Sequence, residues 1–348
     1  VTDEGYGVFF DCSSLMVYDD TGETTRVLLD TVDQIDLYIL AGSTDEIVSE
    51  IRYLTGKATL LPEWAFGYIQ SRERYQTQDE MIDVAARYRA LRVPLDCVVQ
   101  DWKTWAGDLW GQKTVDLARY SDLAAMNRTL HGMHAHSMVS IWPNMAQGGA
   151  DHEEFAEAGE LLGDYSTYNA FSEEARALYW KQLEHDLVPG GFDSWWCDST
   201  EPFTSPDWCG EHLLPEEERY RLVGGEHKKY LDPAEANLYA LVHAKGIFEH
   251  QRAAKPEMRV FNLTRSGYPG IQQYGVALWA GDTSARWDVL KGDIAKGISL
   301  CMSGIPFWTI DIGAFFVGGT ACWRKWCGDP NSKPVWFWAG EYDDGVRD

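Results

Sequence analysis

The sequence predicts an α/β fold: a TIM-type (β/α)8 barrel preceded by the end of an N-terminal β-sandwich. Three observations carry this expectation. Seven short apolar runs, at 65–70, 95–100, 138–142, 192–197, 259–264, 276–279 and 305–310, are separated by segments of which several have helical periodicity. Strands alternating with helices make a parallel sheet, and so many units favour a barrel over an open sheet. The runs also end in the same few residue types. Ahead of them, residues 1–42 read as short strands at 5–10, 25–30 and 35–40, broken by Asp and Gly turns.

Taken in order, the antiparallel start gives way to a helix over 44–55, with Ile47, Ile51 and Leu54 apolar, and then to a linker running from Thr55 to Pro62. This sets the expected domains at 1–60 and 61–348. Within the second, 78–90 places Met81, Val84, Ala85 and Tyr88 on one helical face, and 288–302 is a further amphipathic stretch. Seven strands are one short of closure, and a barrel lacking a strand would expose two edges. The sequence therefore reads as part of a longer protein.

Composition narrows the function. With 45% hydrophobic and 13% aromatic residues the chain can bury a large core, while 54 acidic against 30 basic residues give a net charge of -24. Such a field repels phosphate backbones and anionic lipids, so neither nucleic acid nor a membrane surface is an expected partner. No window approaches the roughly 20 apolar residues of a membrane span. Residues 1–20 lack the pattern of a signal peptide, and the seven cysteines, an odd number with Cys97, Cys197 and Cys301 in apolar segments, read as free thiols in a reducing, cytoplasmic setting. No Cys-x-x-Cys supports zinc. The sequons at Asn127 and Asn262 carry little weight in that setting. A homo-oligomer is left open.

The chemistry sits at the strand ends, where barrels of this type build active sites. The second strand ends at Gln100-Asp101-Trp102, the third at Trp142, the fourth at Trp196-Cys197-Asp198, the fifth at Arg265, the sixth at Trp279-Ala280-Gly281-Asp282 and the seventh at Trp308-Thr309-Ile310-Asp311. An apolar strand ending on carboxylates is a poor core strand, because an unpaired buried carboxylate is costly. One such Asp alone reads as a helix cap, and one Trp as core. Four Asp, one Arg and several Trp on one face read as a sugar pocket: carboxylates accept hydroxyl hydrogen bonds, aromatics cover the apolar sugar face, and two carboxyls cleave the glycosidic bond. Glu201, three residues past Asp198, fits either a loop ion pair or the pocket. Asp193, Asp288 and the run 216–219 read as solvated or capping residues. His131, His134 and His136 lack an acidic ligand at helical spacing and read as packing or surface residues.

These residues resemble glycoside hydrolase family 31. The likeness runs through Leu95-Asp-Cys-Val-Val-Gln-Asp101-Trp, Ser140-Ile-Trp-Pro143, Trp195-Trp-Cys-Asp198-Ser-Thr-Glu-Pro202, Leu263-Thr-Arg265-Ser-Gly, Trp279-Ala-Gly-Asp282 and Ser303-Gly-Ile-Pro-Phe-Trp-Thr-Ile-Asp311-Ile-Gly313. It implies a retaining α-glycosidase acting through a covalent glycosyl-enzyme, with no metal or organic cofactor, on an oligosaccharide or small α-glycoside. Asp198 would be the nucleophile and Asp282 the general acid/base. Asp101 and Arg265 would bind hydroxyls and orient carboxylates, and Asp311 would hold the ring. Trp142, Trp196, Trp279 and Trp308 would wall the pocket, with Tyr75 at its rim. Two departures stand out: Ala280 replaces the family's usual Ser in Trp-Ser-Gly-Asp, and the chain ends before the family's last strand with its pocket histidine. Trp102 resembles α-xylosidases, where many α-glucosidases carry a small aliphatic residue. The expected activity is thus α-xylosidase, with α-glucosidase or a catalytically silent sugar-binding barrel as alternatives.

Overall fold

The structure is a computed structural model and describes residues 1–2, 4–201, 229–283 and 287–315. The run 216–219, the cysteines at 209, 322 and 327, and the segment after 315 lie outside the described residues.

The N-terminal part holds four strands. β1 (Tyr6–Asp11) pairs antiparallel with β4 (Asp36–Ala41), while β2 (Met16–Asp19) and β3 (Arg26–Leu29) form a separate hairpin. These are two two-stranded sheets, and they do not by themselves make the expected sandwich. α1 (Thr44–Thr55) follows, capped by Ser43, whose Oγ accepts from the Glu46 N–H while the Glu46 carboxylate accepts from the Ser43 N–H. This reciprocal cap satisfies two orphan donors of the first turn. Ile47 and Ile51 pack beneath Leu40 as their spacing predicts, but Leu54 lies on the exposed side.

All seven expected strands form. β5 (Ile69–Gln70), β6 (Cys97–Gln100), β7 (His136–Ile141), β8 (Ser194–Cys197), β9 (Asn262–Thr264), β10 (Val276–Trp279) and β11 (Trp308–Thr309) make one parallel sheet in sequential order. Between them run α2 (Gln78–Leu91), α3 (Leu123–Gly132), α4 (Ala150–Ala158), α5 (Glu173–Gly190), α6 (Tyr239–Ala254) and α7 (Trp287–Met302). Sequential parallel order with helical crossovers is the (β/α)8 barrel pattern.

Burial on both faces explains the apolar runs. On β6, Cys97 and Val99 face the barrel interior and Val98 faces the helices. On β8, Trp196 points in, whereas Trp195 and Cys197 point out. The interior cluster also takes Met138, Leu263, Ala277 and Trp279. The outer layer packs Val98, Val139, Ile141 and Trp195 against Met81, Met126, Leu130, Phe155, Tyr179 and Leu183 of the helices. Removing each such side chain from water contributes about 1.5–3 kcal/mol. The outward Trp195 keeps its indole N–H satisfied by Gln251 Oε1 at 2.8 Å. Cys12, Cys97 and Cys197 are buried free thiols. Both sequon asparagines are buried too, Asn127 at 1% and Asn262 at 0% exposure, which leaves neither open to modification in the folded chain. Among the described residues no helix is long and apolar enough to cross a membrane.

Candidate active site

The carboxylates converge on one guanidinium. Arg265, just past β9, places Nη1 3.2 Å from Asp198 Oδ1 and 3.1 Å from Asp282 Oδ2, while Nη2 and Nε each lie 2.7 Å from Glu201 Oε1. With one nitrogen 3.2 Å from the first oxygen and 3.1 Å from the second, Asp198 Oδ1 and Asp282 Oδ2 lie within 6.3 Å of each other. Glu201 thus belongs to the constellation as an Arg265 partner. Surrounded by three acids, Arg265 is held more firmly protonated than usual, against the opposing effect of its own burial.

Local backbone geometry presents these groups. Ser199 takes a left-handed φ of 52° and donates its N–H to Asp198 Oδ1 at 2.7 Å. Trp102, the residue after Asp101, is also left-handed at φ 61°. A bulky residue in that region costs energy, and such residues collect at functional sites. Gly281, at φ 75°, turns the chain so that Asp282 leaves the sheet beside Arg265. The loop after β8 is tied to β9 through Thr200 Oγ1, 2.5 Å from Thr264 Oγ1 and 2.9 Å from Ser266 Oγ.

Burial and crowding reshape the acids. Desolvation, reinforced by the Asp282 and Glu201 charges, pushes Asp198 up to about 7, even though Arg265 and the Ser199 N–H pull the other way. Desolvation, with Asp282, Asp198 and Asp293 nearby, likewise carries Asp311 to about 7. Asp101, 8% exposed, is pushed well above the usual carboxylate range by burial and by Asp198, Glu73, Asp282 and Asp311. The charges of Asp198 and Asp282 thus act on both Asp101 and Asp311.

The aromatic wall differs from its expected membership. Trp142 meets Trp110 edge-on at 4.6 Å, Trp110 contacts Trp102 at 5.6 Å, and Trp196 packs on Trp279 at 4.6 Å. Trp110 is an addition from a loop. Gly111 brings that loop against the end of β7, since a side chain there would collide with the Asn144 carbonyl. The Trp142 backbone is fixed from behind by Tyr179, whose hydroxyl donates to its carbonyl at 2.9 Å. Buried indole N–H groups of Trp102, Trp110, Trp142 and Trp196 have no protein acceptor. Each is a donor suited to a hydroxyl.

Two expected residues sit elsewhere. Trp308 pairs in register with the outward-facing Leu278 and packs over Gly297 of α7, lining a cavity of about 590 Å³ between α7 and the sheet that Arg265 and Trp279 also line. Tyr75 is 4% exposed, packed in the outer core, where its carbonyl accepts from the Tyr120 hydroxyl at 3.1 Å; it is not a rim residue. Asp288 is exposed in the first turn of α7, as expected. Asp193 is not solvated, and it gathers two of the three histidines at the opposite end of the sheet.

Residues 58–329 match the glycosyl hydrolases family 31 TIM-barrel domain. The chain belongs to glycosyl hydrolase family 31. It is 33% identical over 321 residues to an alpha-xylosidase of Saccharolobus solfataricus, covering 91% of this chain and 42% of that protein. It is 29% identical over 341 residues to an alpha-glucosidase of the same organism, covering 89% and 48%. Among solved structures, the family 31 alpha-xylosidase of Xanthomonas citri superposes with a TM-score of 0.71 at 32% identity, over 87% of this chain and 35% of that one. The chain thus spans about half or less of the length of these relatives.

Proposed function

We propose that this chain carries the catalytic pocket of a retaining α-glycoside hydrolase, and that its substrates end in α-linked xylose. The observation that supports it most is Arg265 Nη1 bridging Asp198 and Asp282. A limit of 6.3 Å between the bridged oxygens favours the retaining geometry, whose carboxyls stand about 5–5.5 Å apart, over the wider inverting one.

In this reading Asp198 attacks the anomeric carbon as the bond to the leaving oxygen breaks, and Asp282 gives that oxygen its proton. A glycosyl ester on Asp198 results. Asp282 then takes a proton from water, which attacks the same carbon and frees Asp198. Asp198 must be ionised to attack, yet its surroundings push it up to about 7. Arg265, which touches both carboxylates, offsets part of that rise by favouring the ionised form of Asp198. Burial and the surrounding acids raise Asp101 and Asp311 above the usual carboxylate range, and both can accept hydrogen bonds from sugar hydroxyls.

Trp102 supports the xylose assignment. Its ring is held between the Arg74 guanidinium, 5.3 Å from the ring centre, and Trp110. A fixed indole next to Asp101 fills the space that the hydroxymethyl carbon of a hexose would need. The test is turnover of aryl α-xyloside and aryl α-glucoside by the complete gene product, with Asp198→Ala as control and Trp102→Ile as the specificity variant. Xyloside cleavage lost in Asp198→Ala, with the glucoside share rising in Trp102→Ile, is expected. A glucoside preference in the parent would make it an α-glucosidase. A folded protein that binds sugar and cleaves neither would favour the silent barrel.

A further inference from the structure

At the N-terminal end of the sheet, three ligand-bearing side chains from three elements meet. His131 closes the last turn of α3, His136 opens β7, and Asp193 immediately precedes β8. His131 Nε2 lies 2.8 Å and His136 Nδ1 3.4 Å from the same oxygen, Asp193 Oδ2, and the three ligand atoms all fall within 4.8 Å of one another.

The cluster is built rather than incidental. The Ser137 N–H donates to Asp193 Oδ2 at 2.9 Å, and the Asp193 N–H donates to the Ser137 carbonyl at 2.9 Å, so the carboxylate is locked to β7 from both sides. The His136 ring is stacked on Trp64, 4.6 Å between centres and 15° from parallel, which fixes the direction of Nδ1. That nitrogen is shielded from solvent and faces Asp193 Oδ2 across 3.4 Å. His131 is 41% exposed and offers an entry path. His134, left-handed and exposed, turns away.

We propose that His131, His136 and Asp193 form a zinc-class divalent cation site that staples α3, β7 and β8 together beneath the barrel. Two imidazoles and one carboxylate select a borderline ion such as Zn²⁺ over Mg²⁺ or Ca²⁺, which want oxygen ligands. Neighbouring ligand atoms of a tetrahedral site with metal bonds of about 2.0–2.1 Å stand roughly 3.3 Å apart. The two measured separations from Oδ2, 2.8 and 3.4 Å, bracket that value. Asp193 and Asp198 are separated by one strand, roughly 16 Å along β8, so the site is structural and takes no part in the sugar chemistry.

The experiment is calorimetric titration of Zn²⁺ into the metal-free, full-length protein in a Cys301→Ser background, which removes the exposed thiol among the described residues as a competing ligand, at near-neutral pH. Wild-type ligands should bind zinc at this site with micromolar or tighter affinity. His131→Gln and Asp193→Asn should each weaken it by at least about tenfold, because each deletes one of three ligands. Saturating zinc should also raise the melting temperature by about 3 °C, a shift absent from both variants. His131→Gln alters an exposed side chain, so circular dichroism should show it folded even if Asp193→Asn is not. Zinc binding that is equal in folded His131→Gln, or absent from the folded parent, overturns the proposal and leaves the cluster a hydrogen-bonded clamp.

Discussion

Asp193 and Asp198 bracket the same four-residue strand and are both largely buried, yet their ionisation is driven in opposite directions. Burial would raise both. At Asp193 the raising effect is overcome by His136, His131 and the Ser137 N–H, and the carboxyl ends below its ordinary value. At Asp198 one guanidinium and one N–H face the added charges of Asp282 and Glu201, and the carboxyl rises to about 7. Depth in the barrel is therefore not what sets the ionisation of a strand-end acid. The balance of donors against like charges is, and β8 carries one example of each outcome.

The comparison can be broken first at the Asp198 end. If Asp198 is the nucleophile, Asp198→Ala should cut kcat on an aryl α-xyloside by about 10⁴-fold or more while the fold is retained. A loss below about tenfold would remove Asp198 from the chemistry. Arg265→Lys keeps a charge but not the planar fork that reaches Asp198, Asp282 and Glu201 together. We expect a loss of about 10²–10³ in kcat/KM, and an unchanged value would mean that the bridge is dispensable.

Proton linkage sharpens the same contrast. An acid raised on folding stabilises the native state below its unfolded pKa, and that contribution is lost as pH rises through the folded value. Asp311, at about 7, should thus weigh against folding above neutrality. Asp311→Asn should stabilise the protein by about 1–3 kcal/mol near pH 8 and by little near pH 5, read from denaturant melts. Equal effects at both pH values would refute the raised value. The smallest effect belongs to the quiet end: Asp193→Asn in metal-free protein should lose about 1 kcal/mol of stability, through its weakened hold on His131, with kcat unchanged. A changed kcat would show that the two ends of β8 are coupled.

Much of this was legible in the sequence because the barrel repeats its own logic. Apolar runs between helical segments located all seven strands, and repeated Asp and Trp at their ends located Asp101, Asp198, Arg265 and Asp282 together. Side-chain direction was less legible. Trp308 looks like Trp279 in the sequence, but a strand alternates its faces, and the register with Leu278 sends Trp308 outward. Tyr75 follows a strand as pocket residues do, and only packing against the outer core reveals its place. Trp110 lies on a loop with no periodicity, its position set by close approach at Gly111. β2 is too short and too exposed to give an alternating pattern. His131 and Asp193 meet across 62 residues, a distance over which local spacing carries no signal.

Cys197 sits next to Asp198 in the chain, on the outward face of β8. Burial and the neighbouring Asp198 push its thiol far up, so it offers no thiolate. Cys301, at the other extreme of the described thiols, is exposed on α7. An alkylating label added to the native protein would therefore mark Cys301 and pass over the cysteine one residue from the proposed nucleophile. Reaction at Cys197 would then report loss of the native barrel, which makes that residue an internal sentinel for unfolding.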